Sequence, residues 1–158
     1  MNKQIVCNTG PLIALARMDA FAIVAQLPFQ FVCPAEVEAE IVADVSHGHP
    51  VVLPNWITVM SLSAPLSPLT ITALDEGEAA VIQLALEQNI EYVCIDELKG
   101  RRAALAVGLK VVGSLGLLGK AKTSGLIAEA RPFIEQARSE GIYYDTVLVE
   151  TFLKGLGE

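Results

Sequence analysis

The chain has 158 residues, a net charge of −7, and 53% hydrophobic against 18% charged residues. This composition describes a folded globule with one ordinary core and excludes a disordered chain. No apolar run reaches the roughly 18 residues of a spanning helix, and the start M-N-K-Q-I-V-C-N-T-G lacks the features of a secretory signal, so no membrane association and a cytoplasmic location are expected.

Ile5–Cys7 reads as a short buried strand. It stops on Asn8-Thr9, and Pro11 suits the first turn of a helix over Gly10–Arg17. A second helix is expected around Asp19–Gln26. Phe29–Cys33 is apolar and β-prone, a strand or an extended connection. Pro34 opens the helix P-A-E-V-E-A-E-I-V-A, to about Ala43. His47-Gly48-His49-Pro50 is a turn. Val51–Leu53 and Trp56–Leu62 read as extended, Ser63–Pro68 as a loop, and Leu69–Leu74 as a short helical turn. A helix follows from about Glu76 to Gln88. Glu91–Ile95 is a strand of the fully buried kind. A helix over Glu97–Val107 ends at Gly108, and Leu109–Gly113 is a further strand. Helices around Leu115–Thr123 and Ala128–Ser139 and a helical tail, Tyr143–Leu156, complete the chain.

Strands alternating with helices imply an α/β fold with a largely parallel sheet, in one domain over residues 1–158. Ligands of such sheets meet the carboxyl ends of the strands. The first strand ends on Asn8-Thr9 and the Glu91–Ile95 strand on Asp96-Glu97. Glu78 sits in the first turn of its own helix and can face the same edge. An amide and several carboxylates converging with no His or Cys suit a hard cation, Mg²⁺ or Mn²⁺, which can activate water and steady a phosphate oxygen. Each residue also has a plainer role. Asn8 or Thr9 can cap the Pro11 helix, Asp96 can cap the next one, and Asp75 with Glu78 approaches a capping box. Glu36, Glu38 and Glu40 share one helix, and periodicity does not choose among them or exclude a solvated acidic face.

Other motifs carry less. His47 and His49 flank a glycine in a turn without a third ligand. Ser114 and Thr9 have no histidine base near them in sequence. The run G-S-L-G-L-L-G over 113–119 matches neither a dinucleotide fingerprint nor a P-loop. The three cysteines, Cys7, Cys33 and Cys94, lie in or beside apolar runs without clustered spacing. They are expected as buried free thiols, not as a disulfide framework or a zinc site. The acidic total disfavours nucleic acid. Yet the window from Lys99 to Ala128 has no Asp or Glu and holds six of the eleven cations: Lys99, Arg101, Arg102, Lys110, Lys120 and Lys122.

The runs I-V-C-N-T-G-P-L-I-A-L-A, V-C-P-A-E-V-E-A-E-I, L-D-E-G-E-A-A-V-I-Q-L-A and Y-V-C-I-D-E-L-K-G-R-R-A-A, in this order, resemble the successive motifs of PIN-domain proteins. They are most similar to a prokaryotic branch of that family, and V-V-G-S-L-G-L-L-G-K-A-K-T-S-G-L-I resembles it too. The resemblance spans residues 4 to about 140. It implies a three-layer α/β/α fold around a mostly parallel sheet and a Mg²⁺- or Mn²⁺-dependent endoribonuclease. Asn8, Glu40, Glu78 and Asp96 would be the catalytic and metal-holding positions, with Glu97 an adjacent helper. By this analogy Glu40 is chosen over Glu36 and Glu38. Lys99, Arg101, Arg102, Lys120 and Lys122 would hold the RNA backbone. Many members are toxins restrained by a small antitoxin protein, and many form homodimers. The family's first acidic position is here Asn8, which offers a carbonyl oxygen but no charge. The alternative is therefore a weakened module that binds RNA or a partner protein without cleavage.

Overall fold

The computed structural model describes residues 2–44 and 50–158. His47 and His49 lie outside them. Five short strands form one parallel sheet: β1 (Lys3–Cys7), β2 (Phe29–Pro34), β3 (Thr58–Met60), β4 (Tyr92–Cys94) and β5 (Lys110–Val112), in the order β3-β2-β1-β4-β5. Parallel strands covered on both faces need apolar side chains in both directions. β1 accordingly buries Ile5, Val6 and Cys7 completely and pairs them with β4, Ile5 opposite Tyr92 and Cys7 opposite Cys94. The three cysteines are free and fully buried, one on each central strand. Burial, and after it the proximity of Cys7 and Glu38, pushes the Cys33 thiol up to about 12.

The expected elements form, with shifted ends. α1 (Thr9–Arg17) starts a residue earlier than Pro11 alone suggests. The second helix shrinks to α2 (Phe21–Val24), because Asp19 takes a left-handed φ of 55° between the two helices. α3 covers Ala35–Ala43, α4 Pro68–Ala73 and α5 Glu76–Glu87. α6 covers Leu98–Ala106 and stops where Gly108 adopts a φ of 86°. α7 (Ser114–Thr123), α8 (Arg131–Ser139) and α9 (Thr146–Gly155) follow. Val51–Leu53, read as extended, joins no strand.

α5 packs on β1, β2 and β4 and touches α3, α4 and α6. α1 packs with α7 and α8, and α2 with α7. These groups are the outer layers of a three-layer α/β/α arrangement, with the core on both faces of the sheet. The chain winds outward from β1 to β2 and β3, then returns to lay β4 on the other side of β1. The reversal leaves a crevice above the carboxyl ends of β1 and β4, where open parallel sheets place their ligands. No helix among the described residues is long and apolar enough to cross a membrane.

Candidate metal centre

Asn8 and Asp96 emerge at this crevice because their strands are paired, and the Asn8 N–H donates to Cys94 O at 3.0 Å. Asn8 occupies the N-cap position of α1, but its side chain makes no capping bond. Instead its Oδ1 is buried without a hydrogen-bond partner. The side-chain cap that the sequence left open for Asn8 is not formed.

Asn8, Thr9, Glu40, Asp75, Asp96 and Glu97 line a cleft of ≈ 190 Å³. Glu40 reaches it from α3, and its Oε2 accepts from Thr9 Oγ1 at 2.7 Å. Glu36 and Glu38 lie elsewhere: Glu38 is exposed, and Glu36 turns to a separate hollow. At one side of the cleft, Asp75, Glu78 and Glu97 bring one carboxylate oxygen each within 4.8 Å of one another. Asp75 and Glu97 thus belong to both cleft and cluster. Glu40 and Asp96 line the same cleft as Asp75 and Glu97, with Glu78 beside them in the triad. In sequence Asp75 reads as a cap, and it is one: Asp75 Oδ1 accepts from the Glu78 N–H at 2.8 Å, while Glu78 Oε1 accepts from the Asp75 N–H at 3.4 Å. The capping box itself carries both carboxylates to the crevice.

Glu78 is almost fully buried, at 2% exposure. Burial, then the Asp75 hydrogen bond and charge, raise its carboxyl to about 7, with Glu97 adding to the rise. Its Oε2 has no hydrogen-bond partner.

Asp96 is held differently. Its Oδ1 accepts from the Ser114 N–H and its Oδ2 from Ser114 Oγ, both at 2.7 Å, and that hydroxyl also meets Tyr144 Oη at 2.6 Å. Burial raises the Asp96 carboxyl; the Ser114 bonds and the Arg101 charge oppose the rise without cancelling it. The N-cap position of α6 belongs to Glu97, not Asp96. Ser114 was visible in the sequence as the residue beyond the last strand, but Tyr144 carries no sequence signal.

The cations divide. Lys99 and Arg102 are exposed on the first turns of α6, next to Glu97. Arg101 is half-buried and donates to Ile95 O at 2.8 Å, bracing the end of β4. Lys120 and Lys122 sit on the last turns of α7, away from Ser114 and the cleft. The Lys120 ammonium lies 5.9 Å from the ring centre of Phe29, at the amino end of β2. Lys122 donates to Leu156 O and to Glu158 Oε2, both at 2.9 Å. The continuous basic window of the sequence is therefore not a continuous basic surface at the cleft.

The donor set is all oxygen. Among the described residues none of the cleft carboxylates forms an ion pair, and two buried oxygens, on Asn8 and Glu78, lack any partner. Buried acceptors left unsatisfied are costly, and a divalent cation with oxygen ligands meets that cost. The residues fit such an ion.

A family model described as a PIN domain matches residues 4–158 of the chain. No curated protein and no solved structure matches it.

Proposed function

The chain belongs to the PIN-domain family, a nuclease-type fold whose members generally bind RNA and use a divalent metal, and on that premise we propose that it is a Mg²⁺- or Mn²⁺-dependent endoribonuclease. The observation that carries the reading is the unpartnered Glu78 Oε2, buried beside Asp75 and Glu97 at the topological switch of the sheet. In this reading Asp75, Glu78 and Glu97 hold the ion, and Asn8 adds a neutral carbonyl oxygen. When bound, the ion supplies a Lewis acid that activates water and offsets negative charge on a phosphate. Glu40, fixed by Thr9, and Asp96, fixed by Ser114, add their oxygens to the ion's ligands or orient the attacking water. Lys99 and Arg102 hold the RNA backbone beside the cleft, and Arg101 keeps the end of β4 in place. Because the carboxylates repel phosphate, metal binds before RNA.

The toxin role, the small antitoxin partner and the homodimer rest on the family resemblance alone. A second reading, a module weakened in catalysis, is favoured by Asn8, which brings no charge to a position where the family usually has an aspartate. One experiment tests both readings. Purified protein with Mn²⁺ is expected to cleave single-stranded RNA, and Glu78→Gln to lower the rate at least about a hundredfold. Equal cleavage in EDTA rejects the mechanism. If the wild type is inert and Asn8→Asp gains cleavage together with tighter Mn²⁺ binding, the weakened module is the correct description.

A further inference from the structure

Beside the cleft, on the same carboxyl edge of the sheet, lies a second concavity that the reading above does not use. β2 and β3 pair with Pro34 opposite Met60, so the residues that follow them, Ala35 and Ser61, emerge together. Between them opens a hollow of ≈ 320 Å³, walled by Leu62 and Pro65 on apolar sides and by Ser61 and Ser63. This is the size of a small-ligand site. One wall is fixed from α5. The Ser63 and Ala64 N–H groups donate to the two oxygens of Glu87 at 2.7 and 3.3 Å, and Gln83 Nε2 donates to Ala64 O at 2.7 Å. The clasp satisfies the backbone there and leaves the hollow without those donors.

Glu36 lines this space, and its Oε1 is buried without a hydrogen-bond partner. A carboxylate accepts and does not donate, so the hollow, with Leu62 and Pro65 on its walls, suits a ligand with an apolar face and donors along one edge. Glu36 also stands one helical turn before Glu40, about 6 Å along α3. A ligand seated at Glu36 is thus next door to one held at the cleft. Unstacked bases of single-stranded RNA are read in this way, on their Watson–Crick edges. Among the four, guanine alone presents two adjacent donors, N1–H and N2–H, to match the two oxygens of one carboxylate. Adenine and cytosine set an acceptor beside their amino group, and uracil flanks its single N–H with two carbonyls; each would turn an acceptor toward Glu36.

We propose that the hollow is a guanine-selecting subsite for single-stranded RNA, with Glu36 the residue that reads the base. The proposal rests on the neighbouring cleft taking an RNA phosphate, and its test does not depend on cleavage. Binding of short uridine-rich RNA carrying one guanosine, inosine or adenosine is measured by fluorescence anisotropy. Calcium replaces magnesium, and strand integrity is checked on a gel. Inosine lacks only the N2 amino group. The guanosine strand is expected to bind roughly tenfold tighter than the inosine strand. Glu36→Gln should erase that difference and favour the adenosine strand, because an amide offers adenine one acceptor and one donor. Thermal melting of the variant checks its fold, and only a small loss is expected, since Glu36 sits in the first turn of α3 but its Oε1 has no hydrogen-bond partner within the protein. Equal binding of guanosine and inosine strands, a preference that survives Glu36→Gln, or no binding of any strand overturns the subsite. If the preference is present but Mn²⁺ elicits no cleavage, the nuclease reading fails and the subsite stands. If cleavage occurs without the preference, the subsite fails alone.

Discussion

Three carboxylates around the cleft are each pressed against a glycine. A Cβ added at Gly77 would collide with Glu40 Oε1, one at Gly100 with Glu78 Oε2, and one at Gly113 would lie 2.8 Å from Asp96 Oδ1. Gly77 and Gly100 lie in the first turns of α5 and α6, where glycine costs up to about 1 kcal/mol relative to alanine. The sequence thus accepts a helix penalty to leave room for an acid. Gly100→Ala is expected to leave the protein folded but to displace the Glu78 carboxylate, weakening Mn²⁺ binding about tenfold or more by calorimetric titration. Gly10→Ala, with nothing within 4 Å of its new Cβ, is the control and should leave affinity unchanged. Wild-type affinity in Gly100→Ala would refute this packing argument. The strand-end rule led to Asn8 and Asp96, which line the cleft. It could not reveal the glycines, because a missing side chain has no pattern until its neighbour from another element is known. Asp75 was hidden for another reason: its capping role is local and real, and it concealed the place of the same carboxylate beside Glu78 and Glu97.

At the scale of elements, the last three helices are stapled by one side chain. Glu158 accepts from the N–H groups of Ala130 and Arg131 at the start of α8, at 2.7 and 3.0 Å, and from Lys122 of α7. Burial pushes its carboxyl up, but these bonds outweigh it and hold the group below its ordinary value. A capping carboxylate at a helix start typically contributes about 1–2 kcal/mol. Lys122→Ala and Glu158→Gln are therefore each expected to lower stability in urea by about that much. Lys122→Ala should leave the salt dependence of RNA binding intact, whereas Lys99→Ala or Arg102→Ala should reduce its slope by about 1. A reduced slope in Lys122→Ala would put this lysine on RNA after all. The sequence displayed Lys99, Arg101, Arg102, Lys120 and Lys122 as one basic window. Helix α7 separates them, because it starts at the cleft with Ser114 and carries its later turns toward the amino end of the sheet. Charge counted along the chain does not register that direction.

For the molecule as a whole, the fold was the most legible part. Short, largely apolar runs of three to five residues, each followed by a polar pair or a helix start, sufficed for a parallel sheet. Strand ends were less so, because β4 and β5 pair over only three residues each. The sheet also couples the site to stability. Glu78 has its carboxyl raised to about 7, from an ordinary value of 4.5. The folded protein therefore holds a proton there that the unfolded chain releases, and metal-free stability should fall as pH rises from about 4.5 through 7, by on the order of 3 kcal/mol. Chemical denaturation across that window is expected to show this slope, Glu78→Gln to flatten it, and Mn²⁺ to restore stability at pH 7.5 far more than at pH 5. An unchanged slope in Glu78→Gln would assign the effect to other groups. The row of buried sulfurs has its own consequence. Cys7, Cys33 and Cys94 have no exposed surface, and Cys7 and Cys94 lie on the strands that carry Asn8 and Asp96 into place, with Cys33 on the neighbouring β2. An alkylating reagent can reach them only when those strands part, so its rate of uptake is an intrinsic clock for the opening of the floor on which the site stands.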